Sequence, residues 1–414
     1  MTLTERHIVK QNSPFFKECD ALCFKSKNLY NYANYIVRQE FILSSKQKEE
    51  GVVDHANYLN YYNINRKVID EKQFDMYQLP IKVSNQTLML LDKNWKSFFK
   101  SIKDYSKNKS KYKGKPSLPN YLDTVNGRYV TVYELGAISK KELNCDGVIH
   151  LSKTDIRVKT KVPFDKIKQC RIVPKGNHYV IEVIYEKQEK QPLHDNGRYC
   201  SIDLGLNNLA CVSSNVIKPF IVNGKPLKSI NQYYNKKRAY YVSKLEKQNK
   251  RKISKRVKSL TSKRENKVSD YLHKSSRYII NHLVSNNINT LVVGNNKEWK
   301  QEINIGSKNN QNFVTIPHSN FINMLSYKCK MEGINFLITE ESYTSKCSFL
   351  DNEDICKHET YSGNRIKRGL FRTQSGTLIN ADLNGSLNIL RKAVPKINFD
   401  GIEVIAVSPR VISL

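Results

Sequence analysis

The feature that most constrains the fold is an alternation of strands and helices that begins at Gly197. Three short apolar runs separated by turns, RYCSIDLG, LACVSSN and KPFIVNG, predict three neighbouring strands. Two further apolar runs, NTLVVGN and INFLITE, each follow a segment of helical periodicity, at about 229–285 and 317–332. A third helix is predicted over 382–393. Three strands followed by helix, strand, helix and strand indicate an α/β domain.

This order is typical of an RNase H-like fold, in which an antiparallel meander is extended by parallel strands with crossover helices. The first third of the chain differs, because its apolar residues recur at helical spacing over 20–50 and 82–104. Alternating polar and apolar residues at about 116–190 then predict short antiparallel strands. Since 414 residues are too many for one modest core, the predicted fold class is multidomain α+β.

The charge of the chain indicates the class of its partner. Lysine and arginine number 69 against 38 aspartates and glutamates, a formal net charge of +31. Nucleic acid is preferred to a membrane as the polyanion, because no stretch reaches the ~20 apolar residues of a spanning helix and the N-terminus lacks a signal peptide's apolar core. Nine cysteines without disulfide-scaffold spacing indicate a reducing compartment, so we expect a cytoplasmic protein.

Two aspartates occupy positions that suit metal binding. Asp203 ends the first strand of the meander, before a glycine-containing turn where a purely structural aspartate is also common. Asp382 begins a helix whose leucines face the core and whose Gly385 permits a close approach to a sheet. Carboxylates so placed suit two Mg²⁺ ions, which activate a water and stabilise the leaving oxygen in phosphodiester hydrolysis. That chemistry requires at least one more carboxylate.

The chain resembles the TnpB proteins, transposon-encoded RNA-guided DNA endonucleases related to type V CRISPR effectors and to Fanzor proteins. The resemblance covers nearly the whole chain and rests on SIDLGLNN, LVVGNNKEWKQEINIG, ITEESYTSKCSFLD, RIKRGLF and NADLNGSLNIL in that order. It implies a helical recognition lobe inserted in a small β-barrel (wedge) domain, followed by an RNase H-like (RuvC) α/β nuclease domain with a basic insert. The domains so predicted are the wedge at 1–20 and 116–195, the recognition lobe at 21–115, the RuvC core at 196–345 and 373–393, the insert at 346–372 and a C-terminal tail at 394–414.

At the second acidic residue of the implied RuvC site, this chain departs from the usual family pattern. TnpB proteins commonly carry a glutamate where this chain has Gly294. Three explanations stay open: a nuclease that has lost cleavage, a substitute at Glu298, or a carboxylate from the neighbouring strand end, at Glu340 or Glu341. We favour relocation, because neighbouring parallel strands end at the same edge of a sheet.

A subset of TnpB and Fanzor proteins resembles this arrangement, with a glutamate three residues before a Thr-Ser-Lys motif. Here that residue is Glu341, before Thr344. The resemblance therefore implies that the catalytic and Mg²⁺-binding residues are Asp203, Glu341 and Asp382.

Most TnpB proteins carry a four-cysteine zinc module between the second and third nuclease motifs. This chain offers only Cys347, Cys356 and His358 there, fewer than the four ligands of a tetrahedral zinc site, so we do not expect zinc. The insert and the long helical segment are instead rich in lysine and arginine, which favours phosphate contacts over a solvated face. The resemblance implies that the polyanions are a guide RNA from the transposon end and double-stranded target DNA. From the charge pattern we predict that the residues in contact with them are Lys237, Arg238, Arg251, Lys252, Arg256, Arg264, Arg365, Lys367 and Arg368.

The predicted function is RNA-guided, Mg²⁺-dependent cleavage of DNA next to a short flanking motif, by a nucleoid-associated protein of the prokaryotic cytoplasm. Two alternatives remain. Gly294 leaves open an RNA-guided protein that binds DNA without cleaving it. A DNA-strand-transfer transposase of RNase H fold also uses three carboxylates, and a discrete co-purifying RNA would distinguish the endonuclease from it.

Overall fold

The computed structural model describes residues 1–52, 58–250, 252–296, 311, 315–398 and 408–414. The chain forms two compact units, residues 1–187 and 188–414. Across these described ranges, none of the helices combines the length and the apolar character that a membrane crossing requires.

A four-stranded antiparallel sheet forms the base of the first unit. The described strands of this unit are β1 Thr2–Val9, β2 Thr131–Glu134, β3 Val148–His150, β4 Arg157–Lys159, β5 Ile167–Lys175 and β6 His178–Glu186. The sheet order is β1-β6-β5-β2, and β3 and β4 pair separately. β1 pairs with β6 along its whole length, from Thr2 opposite Glu186 to Val9 opposite Tyr179. The chain between β1 and β2 is thus an insertion into one sheet, and closure of the sheet into a barrel stays a prediction.

That insertion is helical, as the apolar periodicity predicted. The described helices of this unit are α1 Phe16–Glu49, α2 Tyr61–Asp70, α3 Phe74–Gln78, α4 Ile81–Lys107 and, after β2, α5 Lys140–Asp146. Trp95 on α4 is fully buried, its ring 5.5 Å from that of Phe41 on α1. Its indole N–H donates to Asn34 Oδ1 at 3.0 Å, so the polar end of this large ring is satisfied inside the core.

The second unit contains a six-stranded mixed sheet. Its strands are β7 Tyr199–Leu204, β8 Asn208–Ser214, β9 Phe220–Asn223, β10 Thr290–Gly294, β11 Asn335–Thr339 and β15 Arg410–Ile412. The order is β11-β10-β7-β8-β9-β15. β7, β8 and β9 form an antiparallel meander, and β10 and β11 extend it in parallel from β7, which is the arrangement that the sequence predicted.

The region predicted as a C-terminal tail, 394–414, contributes β15, which pairs in parallel with β9. Three strand residues are too few to show a periodic pattern in the sequence. Separate from the main sheet, the region of the predicted insert forms a small antiparallel sheet with strands β12 Asn364–Lys367, β13 Leu370–Arg372 and β14 Leu378–Asn380.

Four helices of the second unit are described: α6 Lys225–Asn249, α7 Lys255–Ser285, α8 His318–Glu332 and α9 Ala381–Ala393. The single helix predicted over 229–285 is wrong, because the chain breaks into α6 and α7 at Lys250, whose φ is +52°. Ser254 then begins α7 by accepting a hydrogen bond from the Val257 N–H at 3.2 Å. The basic residues continue across the break and concealed it in the sequence.

Candidate active site

Two predicted aspartates lie on elements that pack against each other. Asp203 is near the end of β7, a central strand with β10 on one side and β8 on the other. Asp382 is in the first turn of α9, which packs on β7 and β8. A Cβ atom at Gly385 would lie 2.9 Å from Asp203 Oδ2, so the glycine lets α9 pass over Asp203 without displacing its carboxylate. The sequence predicted this close approach.

Three buried serines attach α9 to the sheet. Ser386 Oγ lies 2.8 Å from Ser213 Oγ, and Ser201 Oγ donates to the Ser386 carbonyl oxygen at 2.7 Å. All three side chains are buried, and their hydroxyl groups satisfy one another. Sequence reasoning missed this network. The available signal was the run of polar residues between the leucines of NADLNGSLNIL.

Glu341 lies just after the end of β11, and its side chain occupies the space beside Gly294 at the end of β10. A Cβ atom at Gly294 would lie 2.8 Å from Glu341 Cγ and 2.5 Å from Ile389 Cδ1. A carboxylate from the neighbouring strand end therefore occupies the space that a side chain at position 294 would enter. Glu298, the other alternative, lies outside the described residues.

A set of hydrogen bonds fixes the turn that carries Glu341. The Glu341 N–H donates to Asn296 Oδ1 at 3.0 Å, and Thr344 Oγ1 donates to the Glu341 carbonyl oxygen at 2.9 Å. Asn388 on α9 donates from Nδ2 to the carbonyl oxygens of Thr344, at 2.9 Å, and Cys347, at 2.8 Å. One helix therefore carries Asp382 and also holds the turn of Glu341.

Glu340 takes part in a different interaction. Its Oε2 lies 2.9 Å from Lys392 Nζ, and its side chain is 57% exposed. The hydrogen bond from Lys392 is the main cause that lowers the pKa of Glu340. The structure thus brings Glu341, and not Glu340, to the space beside Gly294.

The carboxylates of Asp203 and Glu341 hold their protons unusually firmly. Burial, followed by the charges of Glu341 and Asp382, raises the pKa of Asp203 well above its usual range, and Arg365 opposes this rise. Burial and the charge of Glu340 raise the pKa of Glu341 to about 7. Glu341 Oε1 is buried and has no hydrogen-bond partner among the described residues. A buried, unpartnered carboxylate oxygen on a residue whose charge acts on Asp203 fits a hard divalent cation such as Mg²⁺.

The carboxylate of Asp382 does not cap its helix. Asn380 does so, because Asn380 Oδ1 accepts the Asp382 N–H at 3.0 Å. The Asp382 carboxylate instead accepts a hydrogen bond from Asn208 Nδ2 at 2.5 Å and lies 3.8 Å from an Arg365 guanidinium nitrogen. In the described part of the chain, no three His, Cys, Asp or Glu side chains form a ready-made ligand set. The three carboxylates are therefore neighbours without being in a coordinating arrangement.

The segment that corresponds to the predicted insert is held by packing and by a buried acid. Glu353 accepts the Ser348 N–H at 2.6 Å and the Ser362 N–H at 2.8 Å. Phe349 and Phe371 belong to a small core with α9 residues. Three residues were considered as zinc ligands. Cys347 Sγ donates to the Cys356 carbonyl oxygen at 3.7 Å, and Cys356 Sγ lies 3.4 Å from His358 Nε2. The expectation about zinc stays a prediction.

The basic residues of this segment lie on the exposed edge of its small sheet. Arg365 and Lys367 belong to β12, and Arg368 follows in the turn to β13. All three side chains are exposed. Because Arg365 also reaches Asp382, this edge adjoins the carboxylates, as the sequence predicted.

The basic residues predicted on the helical segment differ in their surroundings. Arg264 is tied internally, because it donates to Asn231 Oδ1 at 2.8 Å and to the Thr315 carbonyl oxygen at 2.6 Å. Arg251 lies outside the described residues. The others are exposed on α6, α7 and their connection: Lys237, Arg238, Lys252 and Arg256.

Two family models match the chain. Residues 182–300 match the model described as "Probable transposase" (OrfB_IS605), and residues 318–389 match the model described as "Cas12f1-like, TNB domain". The first match contains Asp203 and the second contains Glu341 and Asp382. No curated protein sequence matches the chain.

Solved structures are similar over most of the chain. A Cas12f1–sgRNA–target DNA complex matches with a TM-score of 0.52 at 13% identity, covering 91% of this chain and 84% of that chain. The mini-RNA-guided endonuclease CRISPR-Cas_phi3 matches with a TM-score of 0.46 at 11% identity, covering 95% and 92%. The first likeness shows a shared multidomain fold of mixed α/β type.

Proposed function

The chain is a TnpB-like protein, as its motifs predicted and the family matches confirm, and from this premise we propose that it is an RNA-guided DNA endonuclease. The observation that carries the proposal is the meeting of Asp203, Glu341 and Asp382 from three separate elements, with a buried Glu341 oxygen that lacks a partner. The charges of Glu341 and Asp382 add to burial in raising the pKa of Asp203, and a carboxylate perturbed in this way is typical of a functional site.

The strand order supports an RNase H-like, RuvC-type assignment for the second unit. An antiparallel meander with two parallel strands added beside its first strand brings the ends of β7, β10 and β11 to one edge of the sheet. In this proposal the helical insertion of the first unit is the recognition lobe, and its antiparallel sheet is the wedge domain.

Asp203, Glu341 and Asp382 would hold Mg²⁺, which when bound activates a water and stabilises the leaving oxygen of the phosphodiester. Neighbouring residues hold these carboxylates in position. Asn208 orients the Asp382 carboxylate through its hydrogen bond, and Asn388 holds the turn of Glu341.

In the absence of nucleic acid, Arg365 neutralises part of the charge of Asp382. Because its guanidinium is exposed, Arg365 could also bind a DNA phosphate beside Asp382. The excess positive charge of the chain supports both proposed partners, guide RNA and target DNA. Lysine and arginine contacts of this kind read charge and helix shape, so the choice of target sequence would rest on base pairing with the guide.

The test uses the ribonucleoprotein purified with its co-purifying RNA, which is sequenced to design a matched DNA flanked by a randomised segment. We expect Mg²⁺-dependent cleavage next to a short motif. Glu341→Gln should lower the cleavage rate at least about 100-fold, the scale on which a catalytic group acts. Glu340→Gln is the matched control and should cleave as the wild type does. Equal cleavage by the Glu341→Gln variant would refute the assignment.

Because position 294 is a glycine, guided DNA binding without cleavage is a second candidate function. Tight binding of matched DNA by the wild-type ribonucleoprotein, with no cut in Mg²⁺ and no effect of Glu341→Gln, would favour it. An RNA-free protein that joins transposon ends would instead indicate a strand-transfer transposase.

A further inference from the structure

The helices α6 and α7 enclose a cleft of about 620 Å³ that the proposed chemistry does not use. Its lining is aromatic and basic, and the described lining residues include no aspartate or glutamate. Aromatic faces and cations together suit a ligand that has both a flat ring and negative charge. The lining residues that carry this character are Tyr234, Tyr241, Arg256, Lys263, Arg264 and Lys267.

One wall of the cleft is fixed in place by hydrogen bonds. The Tyr234 hydroxyl lies 3.1 Å from Thr261 Oγ1, and the guanidinium of Arg264 lies 5.8 Å from the centre of the Tyr234 ring. Arg264 is itself held by Asn231 and by the Thr315 carbonyl oxygen. Arg264 therefore holds this wall in place. As a result, ligand binding does not require free energy to order Tyr234.

A second wall is formed by a stacked pair. The guanidinium of Arg256 lies 4.5 Å from the centre of the Tyr241 ring. This pair also lines a neighbouring cleft of about 570 Å³, whose other basic residues include Lys236, Lys237 and Lys244. The two clefts therefore share one wall, and a strand bound in the first can continue across the lysines of the second.

We infer that the α6–α7 cleft binds an unpaired nucleotide of a single strand, with its base against the rings of Tyr234 and Tyr241 and its phosphates on Lys263 and Lys267. A base within a duplex is stacked on both sides and cannot enter such a cleft, whereas an unpaired base can. The inference deepens the proposed function and rests on it only for the source of the strand, which is either the guide RNA or displaced DNA.

The first experiment locates the nucleotide. The full-length chain, in buffer without divalent cations, is irradiated with single strands of about eight nucleotides carrying 4-thiouridine (RNA) or 4-thiothymidine (DNA). We expect the peptides of α6 and α7 that contain Tyr234 or Tyr241 to be crosslinked, and the more efficient of the two strands identifies the source. Crosslinks found only elsewhere in the chain would overturn the inference.

The second experiment separates the base from the phosphates. Tyr241→Leu should lower affinity about tenfold for base-bearing strands, the scale of one stacking contact, and leave unchanged the affinity for wholly abasic strands with the same number of phosphates. Tyr241→Phe keeps the ring and should bind like the wild type. An equal loss for base-bearing and abasic strands, or no loss for either, contradicts the inference.

The phosphate contacts have their own matched control. Lys267→Ala should weaken binding of base-bearing and abasic strands alike. Lys274→Ala removes the same charge from α7 but outside the cleft, where Lys274 Nζ pairs with Asp270 at 2.8 Å, and should have the smaller effect. Equal effects of the two variants would show that only net charge matters. Because neither experiment involves cleavage, loss of guided cleavage in the earlier test would refute the proposed function without touching this site.

Discussion

At the scale of the residue, the site depends on an exchange between Gly294 and Glu341. The glycine removes a side chain at the end of β10, and the glutamate after β11 fills the space. The sequence allowed this exchange to be predicted, because parallel neighbouring strands end at the same edge. The contact with Ile389 could not be predicted, since it depends on how closely α9 packs on the sheet.

Gly294→Ala should therefore destabilise the protein. The added Cβ atom would overlap Glu341 and Ile389, and overpacking of this kind lowers the free energy of unfolding by about 1–3 kcal/mol. Denaturant unfolding measures it, and adding Glu341→Gly to the same chain should restore part of the loss. Gly114→Ala is the matched control, because no atom lies within 4 Å of a Cβ atom there. Equal stability of the two alanine variants would contradict the crowding of Glu341.

The pKa of Glu341 predicts how stability depends on pH. Its folded value is about 7 against an ordinary 4.5, so the folded protein retains a proton that the unfolded chain releases. The stabilisation is complete below the ordinary value and is lost as pH rises through about 7. Without divalent cations, the unfolding temperature should fall between about pH 5 and pH 8, with Asp203 contributing in the same direction.

Glu341→Gln should make that fall smaller, because the amide does not titrate. Glu340→Gln serves as the comparison and should keep most of the fall, because burial, the larger cause of the raised pKa of Glu341, remains when the charge of Glu340 is removed. Mg²⁺ should also reduce the fall, because it binds the deprotonated carboxylates. A fall in the Glu341→Gln variant as large as that of the wild type would show that Glu341 is not the group responsible.

At the scale of the element, α9 organises the site. It carries Asp382, passes over Asp203 at Gly385 and holds the Glu341 turn through Asn388. Leucine periodicity predicted the helix and its buried face, and the leucines at 383, 387 and 390 are fully buried. The equally buried Asn384, Ser386 and Asn388 were not predicted, since polar residues at such positions are usually exposed.

Asn388→Ala should cost about 1–3 kcal/mol in the free energy of unfolding, because the carbonyl oxygens of Thr344 and Cys347 would each lose a buried donor. Lys392→Ala on the same helix removes a side chain that makes a largely surface ion pair, and should change stability by less than about 1 kcal/mol. Denaturant unfolding compares the two variants. A cost for Asn388→Ala no larger than that for Lys392→Ala would mean that the turn does not depend on Asn388.

At the scale of the whole molecule, the net charge predicted the class of partner and the order of the elements predicted the sheet. A net charge of +31 predicted a polyanionic partner, and the alternation after Gly197 predicted the meander and its parallel extension. The pairing of β1 with β6 and of β15 with β9 could not be predicted, because each joins distant parts of the chain and leaves no local pattern. The break between α6 and α7, which creates the nucleotide cleft, was not predicted either. Its signal in the sequence is Ser254, a single serine within a basic run.

The crowding between Gly294 and Glu341 also bears on how such sites change during evolution. A chain with acids at both positions would need to fit two side chains into space for one. An acid gained at position 294 is therefore expected to displace the side chain of Glu341 from this space. Classification of related sequences by the residue at position 294 alone would overlook a carboxylate that reaches the same space from the adjacent strand end.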